Sequence, residues 1–152
     1  MRAVLQRVFS ASVIADGVKS GEIGKGLYIL IGVEKCDEKQ DAELLATKIS
    51  KLRIFSDENG KMNLSVKDIS GDILVVSNFT LYANYSHGNR PDYFASAAPD
   101  TANELYEYFK ACLGQADIHV ESGVFGADMK SDIVTDGPVT IVMDSENLKK
   151  GK

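Results

Sequence analysis

Long apolar runs mark the core strands of this chain. Residues 27–33, LYILIGV, are continuously apolar, which predicts a strand buried on both faces. Residues 72–79, DILVVSNF, predict a second core strand. Alternating or short apolar segments bounded by turn residues predict further strands at 2–9, 11–15, 18 onward, 117–122, 127–135 and 138–144.

Two segments carry apolar residues at helical spacing. In the first, one face holds Ala42, Leu45, Ala46, Ile49 and Leu52, and Asp37 followed by Gln40 predicts a capping box at its start. The second begins at Pro99-Asp100 and ends at Gly114. Two helices cannot cover both faces of so many strands. The pattern therefore predicts an α/β domain with two packed, barrel-like β-sheets and helices covering one outer face.

Length and composition limit the classes of protein. The 152 residues suffice for one domain, which we expect to span 1–145, followed by a basic tail at 146–152. No apolar run approaches the ~20 residues of a membrane helix, and Arg7 interrupts the N-terminal apolar stretch too early for a signal peptide. We therefore expect a cytoplasmic protein with no membrane association.

The net charge of −5 argues against a protein that wraps duplex DNA, because such proteins neutralise many phosphates with a basic excess. A local site for a short RNA end is compatible with this charge. A metal centre is also disfavoured, because His87 and His119 each stand without a second ligand at helical spacing.

The segment SNFTLYANYSHGNRP, residues 77–91, combines hydroxyl side chains with a histidine. A Ser-His hydrolase would need His87 within reach of Ser77 or Thr80, and the sequence has no G-x-S-x-G elbow. Hydroxyls at a strand end more often bond to neighbouring backbone. Asp136-Gly137-Pro138 predicts a hairpin turn, although the proline removes a donor from the sheet. The residues alone leave both strand ends without an assigned chemistry.

Two blocks of the sequence are distinctive in combination, Ser-x-Phe-Thr at 77–80 and Gly-Pro-Val-Thr at 137–140. With these blocks the chain resembles the bacterial D-aminoacyl-tRNA deacylases, and the resemblance runs along its whole length. The remaining similar segments are MRAVLQRV at 1–8, GEIGKGL at 21–27, LIGVEK at 30–35, KLRIFSDENGKMNLSV at 51–66, LVVSNFTLYA at 74–83, GNRPDYF at 88–94, AAPDTANELYEYF at 97–109, FGADM at 125–129 and TDGPVTIVMDS at 135–145.

The resemblance implies a homodimer that cleaves the ester between a D-amino acid and the 3′-terminal adenosine of tRNA. It implies action on glycyl-tRNA, rejection of L-aminoacyl-tRNA, a role in translation proofreading, and no metal or organic cofactor. It also implies that Gly137 and Pro138, joined by a cis bond, enter the partner's active site. There, rigid carbonyls hold the ammonium group and crowd out an L side chain, which is selection by clash.

The remaining site residues follow from the same resemblance. Ser77, Asn78, Phe79 and Thr80 are expected at the scissile ester, with backbone N–H groups around Asn78 and Phe79 stabilising the oxyanion. Thr80 is a nucleophile or, as we favour, positions water or substrate, with help from the ribose 2′-hydroxyl. Phe125 and Met129 are expected to line the adenine pocket, and Arg7 to lie near the site.

The chain departs from the family at one position, where Asn78 replaces the expected glutamine. We expect the change to be tolerated, because an oxyanion donor here can be main chain. Two other interpretations stay open. One is an esterase or amidase with a nucleophile activated by His87, and the other is an RNA-end-binding protein without activity.

Overall fold

The structure, a computed structural model, describes residues 1–151. Lys152, the end of the predicted basic tail, lies outside the described residues. The elements in chain order are β1 (Arg2–Ala15), β2 (Val18–Ile23), β3 (Gly26–Gly32), α1 (Lys39–Ser50), β4 (Phe55–Ser56), β5 (Met62–Leu64), β6 (Asp72–Ser77), a 3-10 turn (Phe79–Tyr82), α2 (Pro99–Gly114), β7 (Val120–Ser122), β8 (Met129–Asp144) and α3 (Ser145–Lys150).

A six-stranded sheet forms the frame, in the order β2-β1-β3-β6-β7, with β8 also paired to β1. The pairs β3–β6 and β6–β7 are parallel, and the pairs of β1 are antiparallel. The sheet curls until β2 meets β7, since a Cβ added at Gly21 would lie 3.0 Å from the Ser122 carbonyl oxygen. Together with the two-stranded sheet β4–β5, this confirms the predicted α/β domain with barrel-like sheets.

Strands β3 and β6 are buried on both faces, as the apolar runs predict. Leu27, Ile29 and Ile31 face the core beneath the helices, where they join the apolar faces of α1 and α2. Tyr28 and Leu74 point to the opposite side, into the interior of the curled sheet. The helices therefore cover one outer face, and the sheet interior forms a second, smaller core.

The predicted helices are confirmed, with one correction at the start of α1. The capping box is formed by Glu38 and Asp41 rather than by Asp37 and Gln40. The Asp41 carboxylate accepts from the Glu38 N–H at 2.9 Å, whereas Asp37 binds the N-terminal ammonium group. Helix α3 was not predicted. It covers residues 146–150 of the expected tail, and the tail boundary itself stays a prediction.

Two pairs of predicted strands are single strands. The segments 2–9 and 11–15 join in β1, and 127–135 and 138–144 join in β8. The predicted hairpin turn at Asp136-Gly137-Pro138 is wrong, because β8 stays paired to β1 on both sides of it. Gln6 pairs with Thr140 and Val8 with Thr135, so residues 136–139 lie opposite Arg7 alone. We call residues 136–139 the bulge. No helix within residues 1–151 has the length and apolarity needed to cross a membrane.

Candidate functional site

A pocket of about 540 Å³ opens at the carboxyl ends of the parallel strands β3 and β6. This edge is where ligands commonly bind in sheets with parallel strands. Helix α2 and the segment between β7 and β8 complete the pocket. Its lining residues are Ile31, Val33, Ser77, Asn78, Phe79, Tyr93, Ser96, Ala97, Pro99, Ala102, Tyr106, Phe125, Gly126, Ala127 and Met129.

The pocket lining carries no acid or base suited to proton transfer at neutral pH. None of the described residues that line it is Asp, Glu, His, Lys, Arg or Cys. Burial raises the pKa of the Tyr106 hydroxyl, at the base of the pocket, above its ordinary value. The groups that these lining residues offer to a reaction are backbone donors and acceptors, hydroxyls and one amide side chain. Within residues 1–151, His, Cys, Asp and Glu form no cluster of three that could hold a metal ion.

The Ser77–Thr80 segment forms a tight turn at one end of the pocket. Strand β6 ends at Ser77, and Asn78 is the N-cap of the 3-10 turn that follows. Its side-chain Oδ1 accepts hydrogen bonds from the Thr80 N–H, at 3.2 Å, and from the Thr80 hydroxyl. Such a cap satisfies a backbone donor that would otherwise lack a partner. The amide of Asn78 therefore holds the turn in shape.

The backbone of the turn leaves one donor free. The Asn78 N–H donates to the Ile31 carbonyl at 2.8 Å, and the Thr80 N–H is taken by the Asn78 cap. No hydrogen bond among residues 1–151 uses the Phe79 N–H, and Phe79 lines the pocket. The expectation that N–H groups around Asn78 and Phe79 are both available is therefore corrected. The Asn78 N–H is committed to β3, and that of Phe79 is available.

The hydroxyls of this segment have no base beside them. Thr80 is exposed and does not line the pocket, and its hydroxyl donates to the Asn78 amide, which is not a base. Ser77 lines the pocket and is partly buried. His87 lies in an exposed loop, and within the described chain it forms no hydrogen bond to Ser77 or Thr80.

Phe125 and Met129 also line this pocket, from the segment that connects β7 to β8. The Phe125 ring lies 5.9 Å from that of Tyr106, between ring centroids. The Tyr106 hydroxyl donates to the Val75 carbonyl at 3.0 Å, which fixes the ring under the pocket. Sequence reasoning missed Tyr106 as a site residue. Its position four residues after Ala102, on the same face of α2, is the signal that could have found it.

Two further aromatic or polar residues at the pocket rim were also missed. Tyr93 packs edge to face against Phe79, with ring centroids 4.9 Å apart. The Ser96 hydroxyl donates to the Phe79 carbonyl at 3.1 Å. Both contacts join distant parts of the chain, and nothing in the local pattern of residues 88–96 indicates them. Together they hold the ring and the carbonyl of Phe79 in place.

Arg7, Gly137 and Pro138 are not among the residues that line the pocket. Arg7 is buried and reaches across the bulge. Its Nη1 donates to the Ile54 carbonyl at 2.6 Å, its Nε to the Asp136 carbonyl at 3.2 Å, and its Nη2 to the Asp136 carboxylate at 3.3 Å. Gly137 and Pro138 are exposed at the tip of the bulge, and the bond between them is cis. Arg7 therefore holds the base of the bulge in place.

Comparison with known proteins gives one consistent result. Residues 4–144 match the family described as D-Tyr-tRNA(Tyr) deacylase. The chain is 51% identical over 150 residues to a D-aminoacyl-tRNA deacylase of Dictyoglomus turgidum, covering 99% of this chain and 96% of the other. It is 53% identical over 149 residues to one of Thermosipho melanesiensis, with 97% and 99% covered.

Two solved structures share the fold. One is described as a c-Myc DNA unwinding element binding protein, with a TM-score of 0.88 and 38% identity, covering 95% of this chain and 98% of the other. The second is described as a probable eukaryotic D-amino acid tRNA deacylase, with a TM-score of 0.83 and 17% identity, covering 94% and 98%.

Proposed function

The chain belongs to the D-Tyr-tRNA deacylase family and is a hydrolase of that kind. We propose the following substrate and mechanism for its pocket. The substrate is the ester that joins a D-amino acid, or glycine, to the 3′-terminal adenosine of tRNA. The products are the free amino acid and tRNA. L-aminoacyl-tRNA is rejected, so the enzyme serves as a chiral proofreader of translation in the cytoplasm.

The uncharged lining of the pocket carries this proposal. An ester linked to a ribose brings its own polar group next to the carbonyl, the 2′-hydroxyl, and needs less help from a protein acid or base. Water attacks the carbonyl, the tetrahedral oxyanion accepts a hydrogen bond from the Phe79 N–H, and its collapse releases the ribose 3′-hydroxyl. One such donor accounts for a rate factor of about 100 to 1,000 in other hydrolases.

Ser77 and Thr80 position the substrate rather than attack it. The Thr80 hydroxyl is bound to an amide oxygen, which cannot remove its proton as an adjacent base would. Asn78 contributes through the cap that shapes the turn. Phe125 and Met129 hold the terminal adenine by stacking and apolar contact, which requires no basic groove.

Gly137 and Pro138 supply the chiral filter in trans. They lie outside their own pocket, on an exposed bulge held by Arg7. An exposed bulge of this kind is suited to enter the pocket of a second copy, and the active form is therefore a homodimer with its sites at the subunit interface. Backbone carbonyls of the bulge hold the ammonium group of the substrate and leave no room for an L side chain. Glycine has no side chain to exclude and is admitted.

The direct test compares the two enantiomers. We expect the protein to release tyrosine rapidly from D-tyrosyl-tRNA and to leave L-tyrosyl-tRNA intact, as followed by free amino acid. Equal release of tyrosine from D-tyrosyl-tRNA and L-tyrosyl-tRNA would show that the protein does not select between the enantiomers. Binding of tRNA without turnover would instead support a non-catalytic RNA-end-binding protein. A monomeric mass at assay concentration would leave no partner to supply Gly137 and Pro138.

A second test addresses the departure from the family at Asn78. We expect Asn78→Gln to change deacylation by less than about tenfold, because the asparagine side chain faces Thr80 and the oxyanion donor belongs to Phe79. A gain of about a hundredfold, the effect of one oxyanion donor, would show that the longer amide contacts the reacting group. Asn78→Ala is the matched control, since it removes the cap and loosens the turn.

A further inference from the structure

A groove of about 750 Å³ follows the outer side of α1 and shares no residue with the pocket. Lys48, Lys51 and Arg53 line it, and Glu43 is its one acidic residue. We call this surface the basic groove. It concentrates three positive charges in a protein whose net charge is −5, so the local sign of the field is opposite to that of the whole molecule.

The cations of the basic groove have no carboxylate partner within residues 1–151. Six other lysines do have one, namely Lys19, Lys39, Lys67, Lys110, Lys149 and Lys150. The nearby acids are engaged elsewhere. Glu43 accepts from the Tyr108 hydroxyl at 2.6 Å, and Asp68, within electrostatic reach of Arg53, accepts from the Ser65 N–H and hydroxyl.

Arg53 is oriented within the groove. Its Nε donates to the Asn63 carbonyl at 2.7 Å, and its Nη2 to the Asn63 side chain. These contacts leave part of the planar guanidinium free, and a guanidinium of fixed orientation is well suited to a phosphate. The two lysines supply exposed point charges beside it.

The basic groove is tied to the bulge through Arg7. Arg53 directly precedes Ile54, whose carbonyl accepts from Arg7 Nη1 at 2.6 Å. The same Arg7 donates to the Asp136 carbonyl at the base of the bulge. Consecutive Cα atoms are about 3.8 Å apart, so one end of the groove lies next to the residues that carry Gly137 and Pro138.

We propose that the basic groove of one subunit binds phosphates of the tRNA acceptor end whose terminal adenosine occupies the partner subunit's pocket. This rests on the proposed function, in which the bulge enters the partner's pocket. The groove beside the bulge then flanks that pocket, on the path of the RNA that leads out of it. One subunit thus supplies the reacting site, and the other supplies both the chiral filter and the contacts to the phosphates.

The first experiment measures the salt dependence of kcat/KM for D-tyrosyl-tRNA. Each phosphate contact contributes about 0.7 to 0.9 to the slope of log affinity against log salt. Lys48→Gln with Lys51→Gln is expected to lower this slope by about 1.4 to 1.8. Between 50 and 200 mM salt the wild type should then lose about tenfold more activity than the double variant.

Two controls separate phosphate binding from other effects. Lys19→Gln is the first control, because it removes an exposed lysine far from the basic groove. Lys19 lies opposite Ile14 of β1, and at about 3.3 Å per residue Ile14 is about 23 Å along the strand from Arg7. This variant is expected to leave the salt slope unchanged. D-tyrosyl-adenosine, which has no phosphate, is expected to react equally with the wild type and the groove variants. An unchanged slope in the double variant, or an equal loss with D-tyrosyl-adenosine, overturns the proposal. Absence of D-specific deacylation by the wild type would instead overturn the proposed function.

Mixed dimers decide which subunit provides the groove. Ala102→Trp fills the pocket of one subunit, so that only the other pocket reacts. When the blocked subunit also carries Lys48→Gln and Lys51→Gln, the reduced salt slope is expected. When the subunit with the open pocket carries them, the wild-type slope is expected. The reverse pattern would show that the groove serves its own pocket and would overturn the assignment across the interface.

Discussion

Replacing Arg7 tests whether the bulge must be held in position. The Arg7 side chain is 10% exposed and the Asp136 side chain 20% exposed. Arg7→Ala removes every donor that Arg7 provides to the Ile54 carbonyl, the Asp136 carbonyl and the Asp136 carboxylate. Each buried acceptor left without a donor costs about 1 kcal/mol or more, and breaking a fully buried ion pair costs about 3–5 kcal/mol.

The loss of unfolding free energy that we expect for Arg7→Ala lies near the lower end of these values. Water can solvate the Asp136 carboxylate once the arginine is gone, because a fifth of that side chain is already exposed. We expect the free energy of unfolding to fall by about 3 kcal/mol, which is a fall in Tm of about 6–12 °C for a chain of this size. A displaced bulge should also lower kcat/KM for D-tyrosyl-tRNA by about 100-fold, as a 1 Å misplacement can.

Thermal unfolding at a fixed protomer concentration and deacylation of D-tyrosyl-tRNA measure the two effects. Arg2→Ala is the matched control. Arg2 lies on the same strand, binds the Asp144 carboxylate at 2.8 Å and donates to the Leu81 carbonyl at 2.9 Å. Because the Arg2 and Asp144 side chains are more exposed than those of Arg7 and Asp136, the expected loss is only about 1–2 kcal/mol. If Arg7→Ala is no less stable than Arg2→Ala, the contacts to Ile54 and Asp136 do not anchor the bulge. If stability falls while activity is kept, the bulge does not serve the reaction.

Three further predictions concern other parts of the molecule. His87→Ala is expected to keep near-normal deacylation, because within residues 1–151 His87 forms no hydrogen bond to Ser77 or Thr80, and abolished turnover would favour a histidine-activated hydrolase. Tyr106→Phe removes a buried hydrogen bond to the Val75 carbonyl and should lower stability by about 1–2 kcal/mol, whereas a Tm equal to that of the wild type would contradict this. Burial raises the pKa of Asp41, but hydrogen bonds from Lys149, Ser145 and the Glu38 N–H outweigh it, so its pKa lies below the ordinary value. Its ionised form therefore stabilises the protein above about pH 4, and this is lost as the pH falls through the lowered pKa. Acid unfolding of Asp41→Asn should show a flatter pH dependence below about pH 4, and an unchanged dependence would contradict the assignment.

The apolar pattern was sufficient to predict the strands of the core and both long helices. Runs such as LYILIGV are buried on both faces because helices cover one side of β3 and the curled sheet encloses the other. Local pattern could not show that β8 continues through Asp136-Gly137-Pro138, since the same residues suit a turn. The pairing of Gln6 with Thr140 and of Val8 with Thr135 decides it, and that is a contact between distant parts of the chain.

The candidate site shows the same division between local and distant information. Ser77, Asn78, Phe79, Phe125 and Met129 were predicted through resemblance, and all of them line one pocket. That they are the functional residues stays a prediction. Tyr93 and Ser96 could not be found from local spacing, because their places at the pocket depend on contacts with Phe79. Tyr106 shares a face of α2 with Ala102, but its contact with the Val75 carbonyl is also between distant parts of the chain. The use of the Asn78 N–H by Ile31 was equally invisible in the sequence.

The charged residues of the basic groove lie outside the pocket, and this affects how the enzyme selects between D and L substrates. Because none of the described residues that line the pocket is Asp or Glu, no carboxylate there can pair with the ammonium group of the amino acid. In the proposed dimer the acceptors for this group are carbonyls of the partner's bulge, which are fixed by Arg7 and cannot adapt to an L side chain. Affinity for the tRNA then comes from phosphates at the basic groove, which are identical for both enantiomers. Higher affinity of the basic groove for tRNA should therefore raise kcat/KM for D-aminoacyl-tRNA without weakening the rejection of L-aminoacyl-tRNA. Affinity for tRNA and selection against the L-amino acid depend on different residues.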